Sequence, residues 1–97
     1  MIEVRRTEVF ADWIAALRDD RAAAKIAVRI KRIEQGNFGD CQPVGGGVSE
    51  MRVPVGPGYR VYFVQRGGAV IVLLCGGDKS SQARDIAKAK AMAKELE

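Results

Sequence analysis

The sequence predicts one α+β domain: an antiparallel sheet packed by an N-terminal helical hairpin and a C-terminal helix. Three observations predict it. Apolar residues recur at helical spacing from residue 10 to residue 33, the pattern switches to a period of two between residues 48 and 75, and helical spacing returns from residue 83. A chain of 97 residues, 47% hydrophobic and 29% charged, is near the common size and composition of a single globular domain, here spanning 1–97.

The elements follow in order. Ile2 to Arg5 is a short strand. Thr7 offers an N-cap oxygen to a helix whose face is Phe10, Trp13, Ile14 and Leu17, the i, i+3, i+4, i+7 pattern. Asp19 or Asp20 caps a second helix, where Ala23, Ile26, Ala27, Ile30 and Ile33 form the buried stripe and Gly36-Asn37 ends it. The short link between them predicts an antiparallel pair. Phe38 to Gly47 lacks periodicity and reads as a loop. Val48–Val53, Tyr59–Arg66 and Ala69–Cys75 read as strands, the last apolar on both faces and therefore central. Gly67-Gly68 is a two-residue hairpin signal. Ser80 or Ser81 caps the last helix, with Ala83, Ile86, Ala89, Ala93 and Leu96 on its inner face. The order is β-α-α-β-β-β-α.

Composition removes several classes of function. There is no histidine, and Cys41 and Cys75 stand far apart, so neither a zinc or copper site nor a hydrolase built on a histidine base is expected, and no cofactor is implied. No apolar run is long enough to span a membrane, and MIEVRRTEVF lacks the pattern of a secretion signal, so a cytoplasmic protein is expected. The net charge of +4 favours an anionic partner, nucleic acid or acidic protein.

Register sharpens that expectation. The loop Pro54–Gly58 sets Arg52 opposite Arg60 and Glu50 opposite Tyr62, all four on one face. A two-residue turn at Gly67-Gly68 would pair Arg66 with Ala69 and Arg60 with Cys75, near Gly76-Gly77 and Lys79. Directly opposed arginines repel unless an anion lies between them, and the planar guanidinium fork suits phosphate. The alternative is a solvated face with Glu50 pairing either arginine. Lys25, Arg29 and Arg32 form a basic stripe on the second helix, either a solvated face or an electrostatic RNA contact.

Glu50-Met51-Arg52, Gly56-Pro57-Gly58-Tyr59-Arg60-Val61-Tyr62, Leu73-Leu74-Cys75-Gly76-Gly77-Asp78-Lys79-Ser80-Ser81-Gln82 and Asp85-Ile86 together resemble the RelE/ParE superfamily of bacterial toxins, in its phage Gp49-like, HigB-type branch of addiction-module killer proteins. The resemblance implies a RelE-like fold and the toxin of a type II toxin–antitoxin system: an endoribonuclease that cleaves mRNA, usually on the translating ribosome, and arrests growth. It implies a helix-turn-helix, HigA-like antitoxin as partner, with operator DNA reached only through that antitoxin. It matches Arg60 to the family's strand arginine, Arg52 to a basic residue of the preceding strand and Lys79 to the lysine after the last strand. Glu50 is the candidate base, or else the residue that orients Arg52, and Tyr62 is a proton-shuttle candidate. The RelE type member carries a late tyrosine near this site, and Gln82–Asp85 here has none. A ParE-like gyrase inhibitor and a non-catalytic basic RNA- or antitoxin-binding module are the competing expectations.

Overall fold

A computed structural model describes residues 1–96. The elements are β1 (Glu3–Arg6), α1 (Glu8–Ala16), α2 (Asp20–Glu34), β2 (Cys41–Gly45), β3 (Val48–Val53), β4 (Tyr59–Arg66), β5 (Val70–Asp78) and α3 (Gln82–Glu95), with a 3₁₀ turn, Lys79–Ser81, between β5 and α3. They form one five-stranded sheet in the order β1-β5-β4-β3-β2. None of the described helices is long and apolar enough to cross a membrane.

The helix ends follow the local chemistry of the sequence. Thr7 Oγ1 accepts from Phe10 N at 3.0 Å, and Asp19 Oδ1 accepts from Ala22 N at 3.1 Å. At the end of α2, Gly36 N bonds to Ile33 O and Asn37 N to Arg32 O, the paired bonds of a Schellman cap. That cap needs a left-handed residue, which Gly36 supplies at φ 86°.

The sheet differs from the sequence expectation in three respects. It is mixed, because β1 pairs parallel with β5 while the other strands pair antiparallel. It also has a strand where the sequence suggests a loop: β2 runs antiparallel to β3 across a glycine turn. This edge strand contains Pro43, which removes a ladder donor and masks the pattern, and an edge is where proline is tolerated. Finally, the β4–β5 register is displaced by two residues. Arg66 pairs with Val70 across Gly67–Ala69, and a bulge at Leu74 sets Phe63 opposite Leu73 but Tyr62 opposite Cys75. Arg60 therefore lies opposite Gly77, not Cys75.

Helices cover both faces. Helix α1 packs on β5, and α2 lies over β1 and β3, so each uses its apolar face chiefly against the sheet rather than in a helical hairpin. Between them and the sheet lies a wholly apolar core that includes Phe10, Ile26, Ile33, Met51, Phe63 and Leu73. The inner stripe of α2 turns toward Ala22, leaving Ala27 exposed. On the opposite face, α3 presents Ala89 and Ala93 to Val48, Tyr62, Val64, Leu74 and Cys75. Its ends lie open: Ala83 and Leu96 are exposed.

Candidate functional site

The site is built on the α3-side face of β3 and β4. The β3–β4 register sets Arg52 opposite Arg60 and Glu50 opposite Tyr62, as alternation predicts. Because Tyr59 pairs with Asp78, Lys79 follows at the end of β5, beside this pair of strands. Arg52, Arg60 and Lys79 line one surface cleft of about 380 Å³, walled by Tyr59 and the Pro54–Gly58 loop. Three cations and one carboxylate, Asp40, line this cleft, a net positive surface of the kind that suits an anion.

Beneath the cleft lies one carboxylate. Glu50 is fully buried, the one buried charged residue among those described. Its Oε1 accepts from Arg60 Nη1 at 3.1 Å and from Gln42 Nε2 at 3.4 Å, and its Oε2 accepts from Gln82 Nε2 at 2.9 Å. Gln42 Oε1 in turn accepts from Arg52 Nη2 at 3.1 Å. Gln42 and Glu50 thus link the two arginines, and the first residue of α3 closes the network from above. Arg60 is 13% exposed, so its bond to Glu50 is a desolvated ion pair, where loss of either partner strands a charge. Arg52 also approaches Asp40 at 3.4 Å, but at 39% exposure that pair is screened by water. The Nε–H groups of both arginines are buried and have no acceptor among the described residues.

Tyr62 lies beside this network with its side chain buried and its hydroxyl without a hydrogen-bond partner among the described residues. Burial, and next the neighbouring Glu50 carboxylate, raise its phenol above the ordinary tyrosine range. At neutral pH it is an un-ionised phenol. Burial likewise pushes the Cys75 thiol up to about 11, so Cys75 behaves as a core residue.

The other sequence candidates fall elsewhere. Lys25, Arg29 and Arg32 line a second cleft of about 260 Å³, which shares Val53 and Pro54 with the first. Arg29 is not freely solvated: its Nη1 donates to Arg52 O at 2.6 Å, and its Nη2 donates to Phe38 O and Asp40 O, each at 3.4 Å. It braces the backbone that carries Arg52. Gly77 lies opposite Arg60 in the β4–β5 ladder, as expected beside the arginines, but Gly76 and Gly77 line a third cleft rather than the arginine cleft. The capping also differs there. Asp78 Oδ1 accepts from Ser80 N at 2.8 Å and caps the 3₁₀ turn, while Ser81 Oγ donates to Asp85 Oδ2 at 2.5 Å. Its contacts with Ser80 hold the Asp78 carboxyl below its ordinary range.

Sequence reasoning missed Gln42 and Gln82. Gln42 was hidden with β2 itself, although a glycine run before Val48-Ser49-Glu50 is a hairpin signal that would have set Gln42 opposite Glu50. Gln82 carried no signal, because its contact with Glu50 spans thirty-two positions in sequence.

Fold and cleft together define a small α+β domain with a cationic surface site on one end of its sheet. The chain belongs to the family described as phage-derived protein Gp49-like (DUF891), whose model matches residues 12–96; its members are addiction-module killer proteins of the RelE/HigB type. A Haemophilus influenzae protein, described as an uncharacterized protein, is 48% identical over 95 residues, covering 98% of this chain and 96% of its own.

Proposed function

We propose that this chain is the toxin of a type II toxin–antitoxin system and an endoribonuclease that cleaves mRNA on the translating ribosome without a metal ion. The observation that carries the reading is the pairing of Arg52 with Arg60 beside Lys79 in one cleft, over a buried carboxylate that orients them. Glu50 and Asp40 offset part of the charge of the two arginines, and Lys79 leaves the cleft cationic, the complement of the scissile phosphate of RNA.

The reaction needs no cofactor. The ribose 2′-OH loses its proton to solvent water as its oxygen bonds the adjacent phosphorus. The bond from phosphorus to the 5′-oxygen breaks, that oxygen leaves as a hydroxyl, and a 2′,3′-cyclic phosphate remains. Negative charge grows on the non-bridging oxygens in the pentavalent transition state, where fixed guanidinium groups stabilise it most strongly. Arg60 and Arg52 supply that stabilisation, and Lys79 adds charge or protonates the leaving oxygen. Glu50 orients Arg60 directly and Arg52 through Gln42, since both of its oxygens are engaged beneath the arginines. The buried neutral phenol of Tyr62 supports a packing role over a proton-shuttle one. An enzyme without a dedicated strong base depends on substrate orientation, and the ribosome orients the message. Lys25 and Arg32 extend the cationic surface along α2 for RNA. A helix-turn-helix antitoxin of the HigA type is the neutralising partner.

Induction in growing bacteria tests this reading. Primer extension on cellular mRNA should show new 5′ ends within minutes with wild-type protein and none with folded Arg52→Gln. DNA breaks and an SOS response with intact mRNA would instead identify a ParE-like gyrase inhibitor.

A further inference from the structure

The third cleft, about 510 Å³, lies next to the arginine cleft: Tyr59 lines both, and the consecutive residues Asp78 and Lys79 face one each. Its wall is aromatic. Trp13 and Tyr59 meet edge to face with ring centroids 6.3 Å apart. Trp13 is seated directly on the β5 backbone, because a Cβ on Gly76 would fall 2.4 Å from its ring, so only glycine permits the seat. The ring is thereby fixed, yet only partly covered. Opposite it, α3 carries Arg84 and Lys88 one helical turn apart; both are exposed, and neither has a carboxylate partner among the described residues. Asp85 completes the rim, with Oδ2 held by Ser81 Oγ.

We propose that this cleft holds the base of a nucleotide flanking the scissile phosphate, stacked against Trp13, with Arg84 and Lys88 on the adjoining phosphates. The inference rests on the ribonuclease reading above, which puts a phosphate in the neighbouring cleft. Single-stranded RNA is bound by this combination of fixed aromatic surface and cations along the backbone. The acidic residues at the rim accept hydrogen bonds from base amino groups, which a purely phosphate-binding groove would not supply. The RNA then crosses the end of the sheet, with Tyr59 as the divide between a phosphate subsite and a base subsite.

Trp13 is the sole tryptophan of the chain, so its emission reports this cleft alone. The probe is a fully 2′-O-methylated hexanucleotide, which cannot undergo 2′-OH attack, bound to the full-length protein. Anisotropy of an end label measures binding, and Trp13 emission measures occupancy of the cleft. Binding should quench Trp13, and a single abasic residue at one position should remove the quenching and weaken binding roughly tenfold. Replacing both cations (Arg84→Gln with Lys88→Gln), which leaves the Trp13 seat untouched, should lower the logarithmic salt slope of binding by about 1.4. Binding with Trp13 emission unmoved by every abasic position, while mRNA on translating ribosomes is still cleaved, overturns the base subsite and leaves the ribonuclease reading intact. Neither binding of the oligonucleotide nor cleavage of mRNA on translating ribosomes overturns both. Quenching by a partner protein but not by oligonucleotide would assign the cleft to protein and overturn the proposal.

Discussion

The two faces of the sheet are built from alternate residues of the same strands, yet they serve different ends. Toward α1 and α2, Met51, Val53, Val61 and Phe63 meet large apolar side chains, and nothing polar is buried. Toward α3, their immediate neighbours Glu50, Arg52, Arg60 and Tyr62 form a charged and hydrogen-bonded layer. Helix α3 sets its alanines against Tyr62 and the apolar residues beside it, and reaches Glu50 only through Gln82. Beyond its first residue the sheet stays open, and that is where the arginines emerge. Apolar packing holds both faces together, and only on the α3 side is it interrupted by a buried carboxylate, which ties the arginines of that face to one another. Such a carboxylate contributes little net stability when paired and costs much when left alone.

Arg60→Ala removes a residue that belongs to both the cleft and the buried network. Removing it should cost about 3 kcal/mol by stranding Glu50, and RNA cleavage should fall on the order of a hundredfold or more. Thermal melts and cleavage rates separate the two losses: Glu50→Gln added to Arg60→Gln should recover most of the stability and none of the activity. On the apolar face, Phe63→Ala should cost about 3 to 5 kcal/mol in chemical denaturation. Below its melting range that variant should still cleave RNA at the wild-type rate per folded molecule, since Phe63 points away from the cleft.

Gln82→Ala is a smaller and more local test. It leaves Oε2 of a buried carboxylate without its donor, at a cost of about 1 to 3 kcal/mol. It should lower the turnover number more than it changes substrate binding, because Arg60 loses its fixed orientation rather than its charge. Tyr62→Phe should have the smallest effect, within about 1 kcal/mol at pH 7, because the lost hydroxyl leaves no broken hydrogen bond. Its signature is pH dependence. The phenol is raised in the folded state, so its contribution is present below about pH 10 and is lost as pH rises above that value, where the unfolded chain ionises first. The wild type should therefore lose stability more steeply than Tyr62→Phe above pH 10, a difference that titrations with urea at fixed pH would show. Unimpaired cleavage by Tyr62→Phe would remove this residue as a proton carrier.

Much of this arrangement was legible in the sequence, and the failures have specific physical causes. The Arg52–Arg60 pairing was readable because strand alternation and the length of the Pro54–Gly58 loop agree on one register. The β4–β5 register was not, because the bulge at Leu74 and the longer turn at Gly67–Ala69 each add a residue that no hydrophobic pattern marks. β2 escaped because Pro43 and a polar edge conceal its alternation. For Glu50, alternation gave the correct face and left either arginine as its partner: the carboxylate meets Arg60 directly and Arg52 only through Gln42. The α2 stripe looked uniform from spacing alone, yet Arg29 is tied to backbone carbonyls while Lys25 and Arg32 are exposed. Side-chain reach across elements is set by tertiary packing, and a periodic pattern does not encode it.

The most direct test of the central claim is to analyse the ends of mRNA cleaved by the purified protein on translating ribosomes, with wild type and Arg52→Gln side by side. If Arg52 and Arg60 stabilise an attack by the ribose 2′-OH, the products carry 2′,3′-cyclic phosphate and 5′-hydroxyl ends, and Arg52→Gln with the same fold gives none. Products ending in 3′-hydroxyl and 5′-phosphate, or cleavage unchanged in Arg52→Gln, would contradict it.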